Sequence, residues 1–419
     1  MVESDPTLGA PQAGFIEQDF DHFGDSQRDQ GKKWKQHFYS LSTQNDSLPP
    51  TQINFLMLEG EGGFSVSWIS ENWAFVQWAK AYGATAYTLE HRFMEIVIVS
   101  YDSVDLERLK LLTSQQALAD AAVFIKNINR EKISQNPCGL HWAALIQGAI
   151  ASSAPVFAKT NFKEYLQVVD NSYKLYGSEG CAEAIVDFFG RAQQLIKTAE
   201  GRRQLRICEP ANGELANYDA QLFMSGHLGS LSETVQYDDS SHYKMNKTCN
   251  YYKGWITWLD QLKQNSSLSA GSCTSYSFEK DMASFNDTKS LTYYWYWQTC
   301  NEFGYFRHQS ATQLFCGDVQ ANLCKQFDRA YTDSMVDYTN QVFGGLDTYH
   351  NKKNIVFLNG SEDPWHKLSV LSDVNQHVRS YLIEGTSHCY DMYAVNSFSM
   401  QGHVDAHEIA KSELKKWLS

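Results

Sequence analysis

KKNIVFLNGSEDPW (352–365) and VRSYLIEGTSHC (378–389) are the two stretches on which the fold turns. In each, an apolar, β-branched run, NIVFLNG or SYLIEG, ends on glycine and passes into a polar loop. A short run that is apolar on both faces reads as a buried strand of a parallel sheet. The first loop carries Asp363 and the second His388. An acid and then a histidine, each just past the end of a late strand, is the placement that an imidazole base and its orienting carboxylate use. The bland alternative, a turn aspartate before Pro364 and an ordinary loop histidine, stays open on these residues alone.

Upstream, INFLMLEGEGG (53–63) is another apolar run stopped by glycines, and WAFVQWAKAYGATAYTLEHRF (73–93) reads as a helix ending near Gly83 followed by a strand. Strand, helix, strand opens an α/β layer. LTSQQALADAAVFIKNI (112–128) has a Thr/Ser start and helical apolar spacing, and GAIASSAPVF (148–157) reads as a small-residue strand closed by Pro155. From about 160 to 335 the alternation stops. Helix-like stretches such as CAEAIVDFFGRAQQLIKTA (181–199) mix there with Tyr- and Trp-rich loops that hold most of the cysteines, which reads as an inserted lobe. The strands return at 352, and HVDAHEIAKSELKKWL (403–418) closes the chain as a helix.

Composition narrows the function. A formal charge of −13 argues against nucleic-acid or anionic-membrane binding, both of which need a basic face. No apolar run approaches the ~18 residues of a membrane span, and the acidic start MVESDPTLGAPQ lacks a signal-peptide core. The 9 cysteines lack the paired spacing of a zinc site and read as disulfides, with one thiol left over. Sequons at Asn45, Asn246, Asn265, Asn286 and Asn359 add to a secretory reading. His403 and His407 stand four apart on the last helix, but without a third ligand or an H-E-x-x-H glutamate no metal is expected there.

NGSEDPWHKL (359–368) and GTSHCYDMY (385–393) resemble the acid and histidine motifs of the prolyl carboxypeptidase, dipeptidyl peptidase II and thymus-specific serine protease family. The resemblance runs through QDFDHF (18–23), LEGEG (58–62), TLEHRF (88–93), LTSQQALAD (112–120), GAIASSAPV (148–156) and QTCNEFGYF (298–306). It implies an α/β fold: an α/β-hydrolase core of residues 14–160 and 336–419, with a mostly helical, disulfide-tied lobe at 161–335. It also implies a lysosomal or secreted serine exopeptidase that cuts short peptides beside proline or small residues, without a cofactor. Asp363 and His388 would be the acid and base, and Gly60 and Gly62 would belong to the oxyanion loop, where Glu59 replaces a family glycine. Trp365 and Glu302 would line the substrate pocket, Glu302 as an anchor for a peptide amine. Short peptides are the expected partners, and a homodimer is kept among the expected assemblies. A peptide-binding pseudoenzyme and an esterase or lipase of the same fold are the rival functions.

One departure is decisive. The family's nucleophile lies in a W-V-x-F-G-G-S-Y-x-G segment before GAIASSAPV, whereas this chain reads NPCGLHWAALIQ (136–147) and contains no G-x-S-x-G. Ser152 and Ser153 are the nearest hydroxyls, yet they match a family strand. Back-translating Pro137 to Gly148 from the third base of the proline codon permits Leu-Gly-Gly-Ser-Tyr-Ser-Gly, preceded by Trp with two residues between. Phe93 to Val97, treated likewise, permits Tyr-Gly-Asn-Ser, the family's continuation after HRF. The expectation is a nucleophile segment near 138–147 lost to a shifted reading frame, in a gene model or a pseudogene, rather than an evolved pseudoenzyme.

Overall fold

The structure is a computed structural model that describes residues 9–419 except 45–52, 61–62, 94–105, 130–144, 211–212, 214, 240, 266–270, 286–289, 307–323 and 328–332. The expectations for Gly62, Asn45, Asn286, the 94–97 segment and the 138–144 part of the nucleophile segment lie outside the described residues.

The architecture is mixed α/β. The first sheet has the order β1 (Gln12–Asp19), β2 (Lys33–Ser42), β4 (Thr85–Leu89), β3 (Asn54–Leu58). Its first three strands pair antiparallel, and β3 lies parallel to β4. Between β3 and β4 runs α1 (Ala74–Ala81), which buries Ala74, Val76, Trp78 and Ala79. α2 (Ser114–Ile128) starts where the sequence implies, with the Thr113 hydroxyl accepting from Gln116 N at 3.3 Å; such a cap is worth about 1 kcal/mol. The two-residue alternation of a strand decides which helix each side chain meets. Ala86 and Phe55 face the α1 side, while Leu56, Tyr87 and Leu89 pack with Phe124 of α2.

The second sheet is wholly parallel, in the order β5 (Ala149–Ser152), β8 (Ile355–Gly360), β9 (Val378–Ile383). Both strands read from 352–389 are therefore present. In β8, Val356 and Leu358 join one apolar cluster and Phe357 another, which is why the run is apolar on both faces. The closing helix α9 (Gln401–Leu418) lays Ala406, Ala410, Leu414 and Trp417 on the first of these clusters. Trp78 of α1 belongs to it too, as do Phe55 of β3 and Ile150 of β5, so one apolar layer spans both sheets.

Between β5 and β8 the chain is mostly helical: α3 (Lys163–Tyr176), α4 (Cys181–Leu195), α5 (Asn217–Gln236), α6 (Tyr243–Gln264), α7 (Leu291–Gln298) and α8 (Asp333–Phe343). The short parallel pair β6 (Lys159–Asn161) and β7 (Gly304–Phe306) lies at the borders of this region. The disulfides Cys181–Cys249, Cys208–Cys273 and Cys300–Cys324 all fall here. Among the described residues Cys389 is the unpaired cysteine.

Candidate active site

Asp363 and His388 meet as the sequence pattern implies. His388 Nδ1 lies 3.0 Å from Asp363 Oδ2. The carboxylate is fully buried, whereas the imidazole keeps 18% of its side chain exposed. Asp363 also satisfies the turn reading, because its other oxygen accepts from Trp365 N at 2.9 Å and caps the short helix Pro364–Leu368. One oxygen positions the loop and the other positions the ring.

The two loops approach each other by backbone contact. Glu362 N donates to Thr386 O at 2.9 Å and Ser361 N to Ile383 O at 3.0 Å. A Cβ on Gly360 would stand 2.3 Å from Thr386 O and 2.5 Å from Ser387 O, so only glycine allows the strand end to pass this close to the histidine loop. A third element joins from α5: Gln236 O accepts from His388 N at 3.0 Å, and Gln236 Oε1 accepts from Trp365 Nε1 at 2.9 Å. Sequence reasoning missed Gln236, which carries no motif and lies far along the chain from both loops.

Electrostatics make the ring a stronger base. Burial opposes protonation of His388, but the Asp363 carboxylate, with the Cys389 side chain beside the ring, outweighs it and holds the pKa well above 6.5. Behind the histidine, Asp391 is buried and its carboxyl is pushed up to about 7 by loss of solvent. Ser152 Oγ donates to Asp391 Oδ1 at 2.7 Å, and Ser153 Oγ accepts from Cys389 N at 2.8 Å. Both hydroxyls nearest the missing segment thus brace the histidine loop from behind, and neither is bonded to the imidazole.

Asp363 and His388 thus stand together just past the ends of two adjacent parallel strands. The family described as Serine carboxypeptidase S28 matches residues 18–404. The chain belongs to this family. It is similar to a protein of Caenorhabditis elegans, 30% identical over 96% of this chain and 87% of its relative. It is also similar to the thymus-specific serine protease of Mus musculus, 27% identical over 97% of this chain and 88% of that protein. The human lysosomal Pro-X carboxypeptidase is 23% identical over 87% of this chain and 81% of its own length. Membership makes the chain a serine-type peptidase by family and implies the α/β-hydrolase fold.

Other residues singled out in this S28 chain fall in varied settings. Trp365 is 7% exposed and packs among Phe162, Tyr165, Trp295 and Tyr305, with ring centroids 5.0–6.3 Å away. Glu302 binds elsewhere: its two oxygens accept from Ser114 N at 3.0 and 3.1 Å, at the start of α2. Burial pushes its carboxyl up to about 7 against that hydrogen bonding. Gly60 follows β3, and the neighbouring Glu59 lines a cavity of about 470 Å³ together with His91, Pro155 and Tyr305. Neither Asp363 nor His388 lines that cavity. His403 Nε2 lies 3.1 Å from Tyr393 O and His407 Nε2 lies 3.0 Å from Asp391 O, so these rings serve backbone carbonyls.

One sequon is corrected by the structure. Asn359 is wholly buried in β8 and its amide donates to Val370 O at 3.1 Å, leaving no room for a glycan. The sequon pattern cannot distinguish a loop asparagine from a strand one. Asn246 is half-buried in α6, and Asn265 is exposed at its end.

Proposed function

We propose that this S28 member is a serine exopeptidase directed at short peptides beside proline or small residues. Its acid and base are intact and its nucleophile is absent from the chain as written. The observation that carries the reading is the 3.0 Å contact from a fully buried Asp363 to a partly exposed His388, on loops after two adjacent parallel strands. In such a pair the carboxylate fixes the imidazole tautomer and stabilises its cation while the ring takes the nucleophile's proton. Residues 14–160 and 336–419 form the catalytic core and 161–335 the inserted lobe. Gly60 and Gly62 offer backbone N–H groups to the oxyanion, and Trp365 and Glu302 border the substrate region. Three disulfides favour an oxidising compartment, lysosomal or secreted, with glycans at Asn45, Asn246, Asn265 and Asn286.

The missing third of the triad is read one frame away from 138–147, as Leu-Gly-Gly-Ser-Tyr-Ser-Gly. Genomic and transcript reads over codons 90–150 decide this, because codons unable to spell that motif refute it. The functional test compares the chain as written with a frame-restored chain. The restored chain is expected to label with a fluorophosphonate and to hydrolyse prolyl peptides in preference to acyl esters. The chain as written is expected to do neither. A restored chain that binds peptides without labelling would support a binding protein instead.

A further inference from the structure

The region around Glu362 holds a cluster that the peptidase chemistry does not use. Asp238, just past the end of α5, His242, just before α6, and Glu362, on the loop of Asp363, direct one ligand atom each to a common point, with all three atoms within 4.8 Å of one another. His242 Nδ1 lies 3.2 Å from Asp238 Oδ2 and 3.7 Å from Glu362 Oε2. Tetrahedral zinc with bonds of ~2.0–2.2 Å separates its ligand atoms by about 3.3 Å. The cluster is already near that spacing.

A second observation asks for a ligand. Glu362 is 1% exposed, and neither of its carboxylate oxygens has a hydrogen-bond partner. A buried carboxylate without a donor is unfavourable unless a cation or a proton occupies it. The other two members are already oriented. Asp238 Oδ1 accepts from Met245 N at 3.3 Å, which leaves Oδ2 to face the ring. His242 stacks on Tyr176 with centroids 4.6 Å apart, and 19% of its side chain remains exposed, giving an entry path and an open position for water.

We propose that Asp238, His242 and Glu362 bind a divalent zinc ion that pins the helices between β5 and β8 to the loop carrying Asp363. One imidazole nitrogen and two carboxylates match zinc in charge and number, whereas calcium takes 6–8 oxygens. The ion bridges elements that Ser387 Oγ already ties to Asp238 O at 2.7 Å, beside the histidine.

The test uses the untagged full chain, stripped with a chelator and dialysed against zinc, with bound metal measured by mass spectrometry and the unfolding midpoint recorded with and without zinc. One zinc per chain and a raised midpoint are expected. Glu362→Gln and His242→Ala should each weaken zinc binding at least about tenfold, while His403→Ala should leave it unchanged. Asp238→Asn serves if either of the first two variants fails to fold. Absence of retained zinc, preference for calcium, or zinc binding by the Glu362→Gln and His242→Ala variants equal to that of the parent would overturn the proposal. These readouts do not depend on peptidase activity.

Discussion

His388 sits between two opposed effects, and the balance decides its charge. Burial alone would neutralise the ring, but a carboxylate at 3.0 Å reverses the sign. Asp363→Asn removes the charge and keeps the shape, so the His388 pKa should fall toward or below 6.5. An NMR titration of the imidazole nitrogens checks this; an unmoved pKa would show that Asp363 is not its partner. Glu302 offers a cleaner stability measurement. Its folded pKa is raised from 4.5 to about 7, chiefly by burial, so its contribution is fully present below pH 4.5 and is lost as pH rises through 7. Glu302→Gln stays neutral throughout. Relative to the parent it should gain on the order of 3 kcal/mol between pH 4.5 and 7.5, read from urea midpoints; parallel pH slopes would refute this. His227, whose pKa burial lowers to about 4, acts in the opposite sense and loses stability as pH falls from 6.5. Between pH 4.5 and 6.5 the two contributions oppose each other. Asp363 and His388 were legible because each follows a strand whose pattern is local. Gln236 and Asp238 were not, because what makes them matter is a fold that returns α5 to the strand ends.

At the scale of elements, several family motifs prove to be parts of one buried ion network. Arg92, at the end of TLEHRF, donates through Nε and Nη2 to Asp120 of LTSQQALAD at 2.7 and 2.8 Å, and through Nη1 to Leu111 O at 2.9 Å. His22 of QDFDHF reaches the same carboxylate at 2.7 Å. Gln18, from the end of β1, donates to Asp120 O at 2.9 Å. Two segments far apart in sequence are thereby fixed to α2. Their recurrence as motifs reports this packing, and a motif match alone could not separate it from catalysis. Breaking a buried pair strands the remaining charge, so Asp120→Asn should cost about 3–5 kcal/mol. Urea denaturation measures it, and a loss under 1 kcal/mol would mean that water reaches Arg92. The antiparallel β1–β2 ribbon escaped the sequence reading for a related reason. QAGFIEQD is polar and glycine-containing, and Ile16 is its residue in the apolar cluster with Phe124 of α2, too little to mark a strand by period.

For the whole molecule the question is what joins the two sheets. Among the described residues β3 pairs only with β4, and β5 only with β8. Phe55 and Ile150 from these two strands nevertheless touch one apolar layer built by α1 and α9. That layer is continuous where the hydrogen bonding is not. In a hydrolase fold one sheet runs through the core, and the strand that would lie between β3 and β5 is the one leading into the nucleophile turn. The segment proposed to be frame-shifted falls between α2 and β5 in the chain, which is where such a strand belongs. Restoring the frame should therefore repair structure as well as chemistry. A central strand burying two or three large side chains contributes on the order of 5 kcal/mol. The restored chain should unfold at a higher urea concentration and bind less of a hydrophobic dye than the chain as written. To separate folding from catalysis, the restored chain should also carry alanine at its new serine. That variant should keep the stability gain while losing fluorophosphonate labelling. Equal urea midpoints for the restored and written chains would place the missing strand elsewhere and remove the structural argument for the shifted frame.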